Sequence, residues 1–363
     1  MQLKKLTNLG TRYLIHRASE ELYLKTGIDT TKPFSINIEI SNRCNYKCQY
    51  CDHWRSNHYP DELTIPEWKQ ALLSLKKFVG PYTVQFSGGE VFVKKGFIDL
   101  LQFCHQEGIE WGLITNGSAF INHGVVKKVV AAKPMNIDIS IDGANPEVHD
   151  LVRGVPNSLN NIIKGIGILK QEMQKQKVKF PIRIKPTVNF YNFHSLPKIV
   201  DLFTDMGATT IDFSPVRPLT SEVKENLWLS KSSDIEKLQE VVETLITMKK
   251  NGSPIETSEE KLRSFPDHFL GKAVNQGISP CHIGLREYYM NPNGDVNLCW
   301  LHPVIGNVKT QTAREIWYGE LAKKNRIQTV KCQKFGSVDC ANSCMTKRSF
   351  KQEIKRGLLF FNK

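Results

Sequence analysis

Apolar and polar residues alternate from Phe34 to Ile40, the two-residue period of a half-buried strand. The period then lengthens, and Pro66–Phe78 reads as a helix with proline in its first turn, where the missing N–H costs nothing. The same switch recurs down the chain. Thr83–Phe86, Ile109–Ile114, Ile137–Ile141, Ile182–Val188 and Thr210–Phe213 have strand character. Phe97–Gln106, Val125–Ala131, Leu159–Lys175 and Leu196–Met206 have helical spacing. Asp234–Lys250 closes the series as an amphipathic helix, with Ile235, Leu238, Val241, Val242, Leu245 and Ile246 on one side. Six strand–helix units of this kind predict an α/β fold with a parallel sheet and right-handed crossovers. In barrel-like α/β folds the loops leaving the C-terminal ends of the strands build the active site.

The outer parts of the chain read differently. Residues 1–33 form a short helical lead-in. The α/β unit runs over 34–232, and 233–280 is a helical connector that includes the sixth helix. Residues 281–346 are rich in cysteine and contain a hairpin signal, Asn291-Pro292-Asn293-Gly294-Asp295, between Tyr288–Met290 and Val296–Leu298. Residues 347–363 are a basic tail ending in Leu358-Leu359-Phe360-Phe361.

No run of about 18 apolar residues is present, so the sequence predicts no membrane span. The first residues lack the apolar core of a signal peptide, and the reading is a cytoplasmic protein. A net charge of +13 favours an anionic partner such as nucleic acid, an acidic peptide, a phosphorylated substrate or a membrane surface, or else a solvated basic face. Nine cysteines change the picture more. In a reducing compartment, clustered cysteines bind metal more often than they form disulfides. Cys104 stands alone on an apolar helix face with Phe97, Leu100 and Leu101, as a buried structural thiol.

Cys44, Cys48 and Cys51 follow the first strand in a Cys-x3-Cys-x2-Cys run. Three thiolates can hold three corners of a cubane iron–sulfur cluster and leave the fourth iron open. A zinc site with His53 as fourth ligand is the alternative. The other strand-end loops carry Ser87-Gly88-Gly89-Glu90, Thr115-Asn116-Gly117, Ser140-Ile141-Asp142 and Thr187-Val188-Asn189.

Cysteines at this spacing, with Tyr50 before the last of them, after the first strand of an α/β chain, resemble the radical S-adenosylmethionine (AdoMet) enzymes. The resemblance spans roughly 34–215 and implies a partial (β/α)6 TIM-like barrel. It implies a [4Fe–4S] cluster on Cys44, Cys48 and Cys51 that cleaves AdoMet to a hydrogen-abstracting 5′-deoxyadenosyl radical. It assigns Tyr50 a place beside the cluster, and Ser87, Gly88, Gly89 and Glu90 the AdoMet amino group. Ser140 and Asp142 fall to the ribose, Arg153 to the AdoMet carboxylate, and Thr115, Asn116 and Val188 to the pocket lining. The stretch 213–216 falls to backbone contacts with adenine. An external donor such as flavodoxin or ferredoxin would supply the electron.

The second cysteine set resembles the SPASM/Twitch extension found on many of these enzymes. Cys281-x12-Gly294-x4-Cys299 matches its opening, and Cys332-x7-Cys340-x3-Cys344 its end, with Phe335 where a further cysteine of the full pattern would stand. The resemblance implies one auxiliary [4Fe–4S] cluster on Cys281, Cys299 and Cys344, with Cys332 or Cys340 as fourth ligand. A shortened two-cluster site and a zinc site are the alternatives. The substrate class it implies is a peptide undergoing maturation or oxidation. The alternative is a sugar or aminocyclitol in a dehydrogenase or epimerase, where the unassigned cysteine would donate hydrogen. A non-catalytic iron–sulfur scaffold, perhaps on nucleic acid, is the competing class. Arg217, Arg286, Tyr288, His53 and Trp54 are further substrate-facing candidates without a motif, and no general acid or base is assigned.

Overall fold

A computed structural model of the chain describes residues 2–55, 61–272, 281–332 and 340, with the backbone alone over 2–12. Five strands, β1 (Ser35–Glu39), β2 (Thr83–Ser87), β3 (Glu110–Thr115), β4 (Asn136–Ile139) and β5 (Ile182–Ile184), lie side by side in chain order and in parallel. The stretch read as one strand over 182–188 breaks at Pro186, which has no N–H for the ladder. Its remainder, β6 (Thr187–Val188), leaves the main sheet. The sixth barrel strand, β7 (Thr210–Ile211), pairs with β5, while β8 (Ser214–Pro215) pairs with β6 in a ribbon of two.

The helices between these strands are α1 (Gln2–Thr26) before the sheet, then α2 (Ile65–Val79), α3 (Phe97–Gln106), α4 (His123–Ala131), α5 (Pro146–Arg153), α6 (Ser158–Lys175) and α7 (Leu196–Asp205). After the sheet come α8 (Ser221–Asn226), α9 (Ser232–Lys250), α10 (Glu259–Arg263) and α11 (Phe265–Phe269), with α12 (Ala313–Tyr318) and α13 (Glu320–Val330) in the C-terminal part. Thr64 and Glu67 close a capping box at the start of α2, satisfying two backbone donors that the helix cannot. One face of the sheet is apolar. Ile36, Ile38, Val84, Phe86, Trp111, Leu113, Ile137, Ile139, Ile182 and Ile184 are all buried in the core. The other face is polar and carries Asn37, Gln85, Asp138 and Arg183, which the strand registers place side by side in pairs. Arg183 bridges Asp138 at 3.4 Å and Glu256 at 2.9 Å.

The cysteine-rich part, expected as a small appended unit, is continuous with this sheet. β9 (Glu287–Met290) lies parallel to β1, with Ser35 opposite Glu287. β10 (Asp295–Asn297) returns antiparallel through the expected hairpin, and β11 (Gly306–Asn307) pairs with β10. β1 would otherwise present an open edge, and β9 covers it. The lead-in helix is clamped to the same region. Glu20 of α1 has no accessible surface and is met by Arg17 and His16 at 3.1 Å, Arg286 at 2.9 Å and His282 at 3.5 Å. Burial opposes its charge, but Arg286, His16 and His282 outweigh that and hold the carboxyl far below its usual range. Among the described residues no helix is long and apolar enough to cross a membrane.

Glu287, at the β1–β9 junction, has the opposite balance. Burial pushes its carboxyl up to about 7, although Asn37 donates to it at 2.6 Å. A carboxyl raised in the folded state holds a proton that the unfolded chain has already lost. Stability therefore falls as pH rises from about 4.3 to 7 and is flat above. Glu287→Gln is expected to remove this slope. It should gain about 3 kcal/mol over the wild type at pH 8, with little difference at pH 4, by denaturant unfolding at both pH values. Equal midpoints for the two proteins at pH 8 would show that the buried carboxylate is compensated.

Candidate active site

The cysteine loop leaves β1 through Ser41–Arg43, and one carboxylate organises that exit. Glu62 accepts from the Ser41 hydroxyl at 2.7 Å and the Asn42 N–H at 2.9 Å, and pairs with Lys94 at 3.0 Å and Arg43 at 3.4 Å. The Gly-Gly-Glu turn after β2 grips the loop from the other side. Gly89 N–H donates to the Ser41 carbonyl at 2.8 Å and Glu90 N–H to the Arg43 carbonyl at 2.9 Å. Further along, Gln49 N–H donates to the Val152 carbonyl at 2.9 Å and the Trp54 indole to the Cys48 carbonyl at 3.0 Å.

Two of the three sulfurs already receive donors. Tyr46 N–H reaches the Cys44 Sγ at 3.4 Å, and Arg153 Nη1 reaches the Cys48 Sγ at 3.5 Å. Burial pushes the Cys44 and Cys51 thiols up to about 11, and the neighbouring Cys48 adds to both shifts. Sulfurs that are close together, mostly shielded and already in contact with N–H donors suit a cluster, whose irons replace the thiol protons. His53 does not join them. Its Nδ1 meets Asn42 Oδ1 at 2.7 Å and its Nε2 lies 3.5 Å from Glu39, so the zinc reading loses its fourth ligand. Among the described residues no three His, Cys, Asp or Glu side chains close on a single ion.

Helix α5, which the periodicity missed, supplies Arg153. Its guanidinium lies 2.8 Å from Asp142 and 5.6 Å from the centre of the Tyr50 ring. Burial opposes its charge, yet Asp142, Tyr50 and Cys48 hold its proton well above the usual range. Asp142 has no accessible surface. Its carboxylate accepts from the Tyr50 hydroxyl at 2.8 Å and the Thr187 N–H at 2.7 Å. The carboxylate thus binds protein on both oxygens, whereas Ser140, just after β4, is half-buried.

Glu90 is also enclosed. It accepts from Thr115 Oγ1 and Asn116 N–H at 2.8 Å each and from Phe92 N–H at 3.3 Å. Burial raises its carboxyl, and these donors restrain the rise. Asn116 then holds Asn45 of the cysteine loop at 2.8 Å. Ser87 donates its hydroxyl to the Ile38 carbonyl at 3.2 Å, and Val188 is buried and receives the Val216 N–H at 2.8 Å. In the stretch expected at adenine, Phe213 N–H goes to Thr257 and Ser214 N–H to the Pro186 carbonyl. Any adenine contact there falls to carbonyls or side chains. The ends of β1, β2, β3, β4 and β6 are therefore tied into one rim.

In the C-terminal part, Cys281, Cys299, Cys332 and Cys340 line one small pocket with Ile283, Leu301, His302 and Thr329. Burial pushes the Cys281 thiol up to about 12, and Cys340, Cys299 and Cys332 contribute. The pocket thus receives both Cys332 and Cys340, where the sequence chose between them. Cys344, Phe335 and the basic tail lie outside the described residues. Four soft sulfurs around one cavity fit an iron–sulfur cluster.

Two substrate-facing candidates are displaced. Tyr288 has no exposure and packs 6.3 Å from Trp317 on the apolar side of the sheet, while Arg286 is spent on Glu20. Trp54 buttresses the cysteine loop, and Cys104 is buried as expected. Glu62, Lys94, Asn45 and Asn192 escaped sequence reasoning, since no motif marks them. Asn192 holds the Asp142 carbonyl at 2.9 Å.

Residues 38–215 match the radical SAM superfamily, and 281–345 match the SPASM iron–sulfur cluster-binding domain. An AdoMet-dependent heme synthase of Methanosarcina barkeri is 27% identical over 79% of this chain and 83% of its own. The antilisterial bacteriocin subtilosin biosynthesis protein AlbA of Bacillus subtilis is 24% identical over 89% of this chain and 67% of its own. The crystal structure of Streptococcus suis SuiB bound to precursor peptide SuiA superposes with a TM-score of 0.64 at 17% identity, covering 85% of this chain and 70% of SuiB. The chain belongs to the radical SAM superfamily and carries a C-terminal SPASM domain.

Proposed function

We propose that this radical SAM enzyme abstracts hydrogen from a peptide substrate and oxidises or cross-links it. Cys44, Cys48 and Cys51 hold the AdoMet-cleaving [4Fe–4S] cluster, and Cys281 and Cys299, with two of Cys332, Cys340 and Cys344, hold an auxiliary one. When bound, the first cluster and AdoMet supply a reducing electron and a hydrogen-abstracting radical. The residues of this chain position that chemistry. Arg153 donates to the Cys48 sulfur, Glu90 fixes the Thr115–Asn116 loop, and Tyr50 and Asp142 hold Arg153 in place. Ser87, Gly88, Gly89, Glu90 and Ser140 border the AdoMet site, and a flavodoxin- or ferredoxin-type donor provides the electron.

The observation that carries the enzyme reading is the convergence of five strand ends on the cysteine loop, since a scaffold needs no such rim. Peptide substrates are supported by the likeness to AlbA and by the precursor peptide bound to SuiB. A second reading, a tetrapyrrole substrate on the way to heme, rests on the heme synthase relative.

Anaerobic reconstitution followed by dithionite and AdoMet should release 5′-deoxyadenosine without added substrate. The Cys44→Ala/Cys48→Ala/Cys51→Ala variant should release none and keep about four irons of about eight, as expected for one remaining cubane. A silent wild type sinks the enzyme reading, and an iron-free variant sinks the auxiliary cluster.

A further inference from the structure

Arg217 follows β8 on the strand-end rim. Its guanidinium carbon stands 4.0 Å from the centre of the Trp300 ring, next in sequence to Cys299. Four other arginines that are buried or largely shielded each have an acid. Arg153 has Asp142 at 2.8 Å, Arg183 has Glu256 at 2.9 Å, Arg286 has Glu20 at 2.9 Å and Arg326 has Asp29 at 2.8 Å. Among the described residues Arg217 pairs with none. Burial lowers its proton affinity, and the groups near enough to act on its charge are Tyr289, Cys340 and Cys51. One residue thus lies within electrostatic reach of both cysteine sets. Glu39 is already engaged, because the Tyr289 hydroxyl donates to it.

Among the described residues no carboxylate meets this half-desolvated guanidinium, and a carboxylate on a ligand would offset the cost of its burial. Stacking on an indole leaves the in-plane N–H donors of arginine free, in the geometry that grips a planar carboxylate in bidentate fashion. Trp300 is 45% exposed, so this edge is reachable from outside. A single cation beside thiolate-rich sites matches one negative charge, whereas a phosphate dianion would call for more. We propose that Arg217, stacked on Trp300, anchors a carboxylate of the substrate between the two cysteine sites. This rests on the functional reading above and narrows its substrate to one bearing a carboxylate near the reacting carbon. The carboxylate belongs either to an acidic peptide residue or to a tetrapyrrole propionate.

The test uses reconstituted holoenzyme without reductant, and two probe pairs titrated by tryptophan fluorescence. One pair is a glutamate-rich peptide and its glutamine counterpart. The other is iron coproporphyrin III and its tetramethyl ester. The wild type should bind one carboxylate probe about tenfold or more tightly than its neutral partner, the scale of a charged hydrogen-bonded pair. Arg217→Gln, with iron content and circular dichroism as in the wild type, should erase that preference, and Arg217→Lys should restore part of it. The pair that responds names the source of the carboxylate. A wild type that prefers neither carboxylate probe, or a preference that survives Arg217→Gln, overturns the proposal. Release of 5′-deoxyadenosine by the wild type without substrate tests the enzyme reading separately, so the two failures are distinguishable.

Discussion

Gly89→Ala is expected to abolish AdoMet cleavage and to deplete iron from the N-terminal site. A β-carbon at this position would stand 2.2 Å from the Arg43 carbonyl oxygen, 2.6 Å from its carbon and 2.8 Å from the Asn42 carbonyl oxygen. All three are backbone atoms of the cysteine loop, so no rotamer change relieves the clash. The hydrogen bonds on either side, from Gly89 N–H to Ser41 and from Glu90 N–H to Arg43, would have to lengthen as the loop moves off β2. Overpacking of this kind costs about 1–3 kcal/mol when side chains can yield, and a rigid backbone neighbour puts this case at or above the upper end. Gly167→Ala is the internal contrast. A β-carbon there meets nothing within 4 Å, and the residue lies inside α6. It should stabilise by about 0.5–1 kcal/mol through helix propensity alone. The measurements are thermal unfolding, iron content and 5′-deoxyadenosine release. Wild-type iron and turnover in Gly89→Ala would mean that the turn does not set the position of the cysteine loop.

The features legible in the sequence were those written in short-range pattern. Strand alternation located β1 to β5 because each has one buried and one polar face, and the cysteine triplet stood out because its spacing is local. The split at Pro186 was legible in principle, since proline cannot continue a ladder, but strand character on both sides masked it. Helix α5 was missed although Asn145 caps it, Pro146 opens it and Gly154 ends it at φ +67°. It is only eight residues long, about two turns, too short for its apolar period to repeat.

Interactions that join distant parts of the chain were illegible for a different reason. Nothing near Glu62 shows that its carboxylate will collect Ser41, Asn42, Arg43 and Lys94. Nothing near Glu287 shows that β9 will lie against β1. The pairing of Arg153 with Asp142 belongs to the same class. Family resemblance named both as cofactor ligands, and only the folded geometry shows the two side chains meeting each other. The pocket of four cysteines is a similar case, because the resemblance took only one of Cys332 and Cys340 beside Cys344, whereas the pocket brings both of them together with Cys281 and Cys299.

That pairing carries the second large expectation. Asp142→Ala should destabilise the protein by about 3–5 kcal/mol, because it leaves the Arg153 guanidinium buried without its carboxylate. It also strands the Tyr50 hydroxyl and the Thr187 N–H, both of which donate to the same carboxylate. Removing the second charge separates the electrostatic cost from the rest. In Asp142→Ala/Arg153→Leu no unpaired cation remains, so the double variant should be less destabilised than Asp142→Ala alone. Coupling between residues in direct contact is typically 0.5–3 kcal/mol, within reach of denaturant titrations. Function should not recover in parallel. Arg153 also donates to the Cys48 sulfur, and leucine cannot, so the double variant should fail to release 5′-deoxyadenosine. Recovery of stability without recovery of cleavage would identify Arg153 as a positioning residue for the cluster loop and Asp142 as the group that makes its burial tolerable. If Asp142→Ala unfolds within about 0.5 kcal/mol of the wild type, the ion pair is not what holds this rim together. The work would then fall to the hydrogen bonds of Glu90 and Glu62 to the loops on either side.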